Sequence, residues 1–90
     1  MALSGQTTVT TAGTEVRLAA DQPCEFAMVK ALPTNTGYMY LGNTGADVVA
    51  STTGYVLAAG EFVPIETTNL NQWWVDSSVN GEKVCWIIIA

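Results

Sequence analysis

The chain has no histidine, and only three of its 90 residues, Arg17, Lys30 and Lys83, carry positive charge. Without an imidazole, no Ser-His-Asp or Cys-His pair can be assembled. Eight acids oppose the three cations, for a net charge of −5. A nucleic-acid partner is excluded on that balance, because Lys and Arg neutralising several phosphates supply the affinity. An anionic membrane surface is disfavoured on the same ground. No apolar run approaches the ~20 residues of a spanning helix. Met1-Ala2-Leu3-Ser4-Gly5-Gln6 has neither a basic start nor an apolar stretch, so no secretory signal is read there. Synthesis and assembly in the cytoplasm are expected.

Cysteine is scarce too. Cys24 and Cys85 are expected to be reduced, buried, small apolar side chains; a disulfide between them is the alternative. Two isolated cysteines lack the clustered ligands that zinc needs, and no metal or cofactor is expected. Charged residues are 12% of the chain, against about 25% in ordinary domains. A chain this short buries only about 60% of its unfolded surface. Its exterior must therefore be Thr, Ser, Asn and Gly, or be covered by other chains.

What is present is a series of short runs rich in Thr, Val, Ile, Tyr and Trp, broken by Gly, Pro and Asn. That punctuation predicts an all-β fold, a jelly-roll-like β-sandwich of about eight short antiparallel strands in one domain, residues 1–90. Strands are expected at Thr7–Thr10, Glu15–Leu18, Cys24–Leu32, Tyr38–Gly42, Tyr55–Leu57 and Glu61–Thr67, then on either side of Asn80-Gly81. Pro64 cannot donate to a ladder, so its strand is expected at an edge or bulged. Asn43 to Gly54 reads as a surface excursion. Thr11–Ala20 and Thr52–Ala59 echo one another, by coincidence or as two similar β modules.

Asn80-Gly81 predicts a two-residue hairpin pairing Val75 with Trp86 and Trp73 with Ile88. One face would carry Trp73, Val75, Val84, Trp86 and Ile88 into the core. The other would carry Trp74, Asp76, Cys85, Ile87 and Ile89, marked as the outer one by Asp76. That second apolar face needs a partner, and Trp74, Ile87 and Ile89 are the candidate interface residues.

Chemistry has little to work with. The acids are scattered through strands and turns, and no acid/base pair can be named. Asn43-Thr44-Gly45-Ala46-Asp47 does not have the spacing of a calcium loop. The aromatics Tyr38, Tyr40, Tyr55 and Trp74 could form a sugar-binding platform, but stacking on nucleic acid would need basic neighbours.

Certain spacings resemble those of a known group. Ala31-x-Pro33-x-Asn35-x-Gly37-x-x-Tyr40-x-Gly42 is followed by Gly54-x-x-Leu57-x-x-Gly60-Glu61-x-x-x-Ile65. Leu70-Asn71 then precedes Trp74-Val75-Asp76. The pattern, from about Val9 to Ile89, resembles small virion proteins of tailed bacteriophages and prophages. The resemblance implies a non-enzymatic virion structural protein, assembled in the host cytoplasm. A capsid decoration or cement subunit, or another head-associated component, is the expected role. It implies a homo-oligomer, with a trimer as the form, in contact with the major capsid protein or another virion protein. It carries no catalytic residues. The alternative is a carbohydrate or host-receptor binding module of a tail or fibre.

Overall fold

The β-branched and aromatic runs become eight strands in the computed structural model, which describes residues 3–44 and 54–90. In chain order they are β1 (Ser4–Val9), β2 (Val16–Arg17), β3 (Phe26–Ala31), β4 (Met39–Gly42), β5 (Tyr55–Leu57), β6 (Phe62–Glu66), β7 (Trp74–Ser77) and β8 (Glu82–Ile88). They form two four-stranded antiparallel sheets, ordered β1-β8-β3-β6 and β2-β7-β4-β5. No α-helix occurs among the described residues, which include one 3-10 turn, Leu70–Gln72. Asn69 caps that turn by accepting the Asn71 N–H (2.9 Å). The same oxygen accepts the Gln22 N–H (2.9 Å), tying the turn to the β2–β3 connection.

Strands pair as β1 with β8, β2 with β7, β3 with β6 and β4 with β5. The chain thus resembles one long antiparallel ribbon whose rungs fall alternately into the two sheets. The connections β1–β2, β3–β4, β5–β6 and β7–β8 gather at one end. There Asn80 Oδ1 accepts the Ala12 N–H (2.7 Å), Ser78 Oγ accepts the Tyr38 N–H (2.9 Å) and Ala31 O accepts the Gly60 N–H (3.0 Å).

Glu82, although charged, points inward and is buried. Its Oε1 accepts the N–H groups of Thr36 (2.6 Å) and Gly37 (2.5 Å) and the Thr36 hydroxyl (3.2 Å). Asn35 imitates a strand residue beside it. Its amide donates to Lys83 O (2.8 Å) and accepts the Lys83 N–H (3.2 Å).

The core lies between the sheets. Strand alternation sends Ala27, Val29 and Ala31 of β3 inward, with Val84 and Ile88 of β8. Leu18, Met39, Leu57 and Val75 meet them there and are fully buried or nearly so. Burying each large aliphatic side chain is worth about 1.5–3 kcal/mol, which is what holds a structure with so few ion pairs available. Trp73 and Trp86 pack against this core, partly buried. The Trp86 ring occupies the space over Gly5, where a Cβ would lie 2.6 Å from Cζ2.

Eight strands and the edge position of the Pro64 strand agree with the sequence reading. The hairpin does not. β7 and β8 lie in different sheets, and Ser78–Gly81 crosses between them. Val75 pairs with Val16 and Leu41, and Trp86 pairs with Gly5 and Val29. β2 and β4 occupy both edges of β7, and β1 and β3 both edges of β8, so neither strand has an edge left for the other. Gly81 still supplies the left-handed residue the turn needs (φ +81°), and its N–H donates to Val9 O (2.8 Å).

The expected solvent marker is also overturned. Asp76 is fully buried, with Oδ1 accepting the N–H groups of Gly13 (3.0 Å) and Ser77 (2.8 Å). The β1–β2 connection brings the Gly13 donor, so the carboxylate is covered rather than solvated. Most of the Asn43–Gly54 excursion, residues 45–53, lies outside the described residues. In the echo, β2, β3 and β4 correspond to β5, β6 and β7. Reversing sheet β2-β7-β4-β5 exchanges its members as required, but reversing β1-β8-β3-β6 matches β3 with β8, so one rotation does not relate the two modules.

Candidate functional site

The outer side of sheet β1-β8-β3-β6 departs from what a solvated sheet carries. An antiparallel sheet with one face in water normally alternates apolar inward and polar outward. The edge strand β1 obeys, presenting Ser4, Gln6 and Thr8. The next strands do not. Register places Gln6, Cys85, Lys30 and Phe62 in one row across the sheet, and Ser4, Ile87, Met28 and Pro64 in the adjacent row. These side chains, with Gly5 and Trp86 at the β1 side, line a groove of about 460 Å³. Phe62 is 59% exposed and Ile87 43%.

Both lysines of the chain stand on this face, Lys30 on β3 and Lys83 on β8, each exposed. Apolar side chains flanked by ammonium groups can hold a protein surface that offers apolar side chains and carboxylates. The site offers no acid/base pair. Among the described residues, no group of His, Cys, Asp or Glu is arranged to hold a metal ion. The buried acids Asp76 and Glu82 bond to the turns around them.

Comparison of this chain with known protein families, curated proteins and solved structures finds no match.

Of the three interface residues expected from sequence, one lines this groove. Ile87 lies in the groove, and Ile89 follows just beyond the end of β8, exposed. Trp74 belongs to β7 in the opposite sheet. There the Arg17 guanidinium covers its ring, 4.5 Å from the centroid, and Arg17 Nη1 donates to Asn71 O. The shared face of Trp74 with Cys85 and Ile87 does not exist, because it depended on a β7–β8 ladder. Tyr40 is buried, while Tyr38 and Tyr55 lie toward opposite ends of the β4–β5 ladder, so they do not converge on a platform.

The two cysteines have separate environments. Cys24 packs against the core, its thiol directed to Thr67 O (3.8 Å), and burial pushes its pKa up. Both are free thiols and only partly buried, correcting the expectation of buried ones, and Cys85 lines the groove. Sequence reasoning missed Met28, Phe62 and Lys30. The signal was available, since Phe26-Ala27-Met28-Val29 is apolar at both parities, as a strand covered on both sides would be.

Proposed function

We propose that this protein is a non-enzymatic structural subunit of a tailed-phage particle, of the capsid decoration or cement type, acting through protein–protein contact. The observation that carries the docking role is the apolar outer face of sheet β1-β8-β3-β6, around Met28, Phe62, Cys85 and Ile87. A hydrophobic patch rimmed by polar residues marks an interaction surface. The strand order supports a jelly roll, two Greek keys in two packed sheets. The particle assignment rests on the resemblance. Asn35 and Gly60, which carry part of it, tie turns to Lys83 of β8 and Ala31 of β3, and Glu61 closes its own turn, so it reports a scaffold rather than a reaction. The partners proposed are a shell protein and further copies of this chain, with a trimer as the form implied by the resemblance.

The sugar-binding alternative gains less support, because Tyr40 is buried and Trp74 is covered by Arg17. The test is the protein content of purified particles of the phage that encodes the chain. The wild type is expected as a stoichiometric component, and Ile87→Asp is expected to be lost from the particles while remaining folded. Wild-type particles that lack the chain would overturn the assignment.

A further inference from the structure

We propose that the peptide joining Asn80 to Gly81 is a site of spontaneous covalent modification, held in check by the β1–β2 corner. The proposal concerns the chain's own chemistry and does not depend on the docking role of the outer face. Five asparagines occur in the chain, and only Asn80 is followed by glycine. Asn35 and Asn43 precede threonine, Asn69 precedes leucine and Asn71 precedes glutamine. A side chain on the following residue hinders the approach of its main-chain nitrogen to the asparagine Cγ, and glycine offers no such obstacle. The surroundings are open as well. A Cβ on Gly81 would meet nothing within 4 Å, and both residues are exposed.

The step is an internal acyl transfer. The Gly81 nitrogen loses its proton and bonds to Asn80 Cγ. The Cγ–Nδ2 bond breaks, and Nδ2 gains a proton and departs as ammonia. Water then opens the cyclic imide at one of its two carbonyls. Attack at Cγ gives aspartate. Attack at the main-chain carbonyl carbon gives isoaspartate, whose chain runs through Cβ and Cγ and is one carbon longer. No electrons are gained or lost, and water is the one co-reactant.

The same neighbour holds both reacting ends. Asn80 Oδ1 accepts the Ala12 N–H (2.7 Å), which fixes the side-chain torsion, and the Gly81 N–H that must be lost donates to Val9 O (2.8 Å). Val9 ends β1 and Ala12 lies in the connection that follows, so one opening of that corner frees both. Native structures open locally at a lower free energy than global unfolding requires. Conversion therefore proceeds at the unhindered rate multiplied by the open fraction. It runs one way. The imide has no N–H to offer Val9 O, and isoaspartate lengthens the crossing between the sheets close to Glu82, whose carboxylate anchors the β3–β4 turn. Either product also adds a carboxylate to a chain already at −5.

The experiment incubates the full chain in mildly alkaline buffer, folded and in concentrated urea, and follows every asparagine by peptide mass mapping with isoaspartate detection. In urea, Asn80 is expected to convert ahead of the others, to a mixture of the two products. In the folded protein its conversion should be about tenfold slower or more, because two hydrogen bonds must break first. The Gly81 N–H should be protected from hydrogen exchange by a similar factor, since both measurements report the same opening. If Asn80 in urea outlasts Asn35, the site does not exist. If folded and unfolded chains convert at equal rates, or if conversion is slowed while the Gly81 proton exchanges freely, the corner is not the gate and the proposal is overturned.

Discussion

Replacing Glu82 by alanine should be among the most damaging changes in this chain away from the aliphatic core. The side chain is 7% exposed, and one oxygen accepts two backbone N–H groups and a hydroxyl of the β3–β4 turn, at 2.5–3.2 Å. Hydrogen bonds to a charged group contribute about 1.5–3 kcal/mol each, and a buried donor left unpaired costs about 1–3 kcal/mol. Thr36 is exposed enough for water to replace part of the loss. A net cost of about 3 kcal/mol follows, against a total stability of roughly 5–15 kcal/mol. For a domain this small, that lowers Tm by roughly 12–24 °C. Glu82→Gln keeps the shape and an acceptor oxygen but loses the charge assistance, so about half the penalty is expected. Urea unfolding followed by tryptophan fluorescence measures both. An alanine variant within about 0.5 kcal/mol of the wild type, the range of an ordinary surface substitution, would refute the assignment of Glu82 as the buried anchor of this turn.

Two further changes test the packing and the partly buried thiol of Cys24. Gly5→Ala places a methyl group 2.6 Å from Trp86 Cζ2; overpacking of this kind costs about 1–3 kcal/mol. It should shift the tryptophan emission, and an unchanged urea midpoint would contradict the observed ring position. Burial raises the Cys24 pKa, so the folded state holds that proton more tightly than the unfolded chain. Its contribution to stability is therefore complete below the ordinary thiol pKa and declines as pH rises through the raised folded value. Cys24→Ser should flatten this alkaline decline in a pH series of melts, and an unaltered slope would rule Cys24 out as its source.

The sequence made strand positions legible because alternation and turn residues act locally. Within β3 and β8 the parity of Val29, Val84 and Ile88 already separates core from surface. The edge strand was legible for the same local reason, the missing donor of Pro64. The apolar outer face of sheet β1-β8-β3-β6 was legible only in part. Ile87 was reached through parity, but Met28 and Lys30 come from β3, which lies beside β8, and Phe62 from β6, which lies beside β3, and both placements arise only through long-range pairing.

Asn80-Gly81 marks the boundary between what each level decides. The sequence alone determined a turn there, because Gly81 can adopt the positive φ that other residues resist. It determined which residues of each flanking strand share a side, because that period is fixed by the backbone. Only the tertiary structure decided that the turn passes from one sheet to the other. Partner choice is collective: β2 and β4 take both edges of β7, and β1 and β3 both edges of β8, so the two cannot pair with each other. That separation buries Asp76, sends Trp74 to the opposite side of the molecule and gathers Ile87 with Met28 and Phe62.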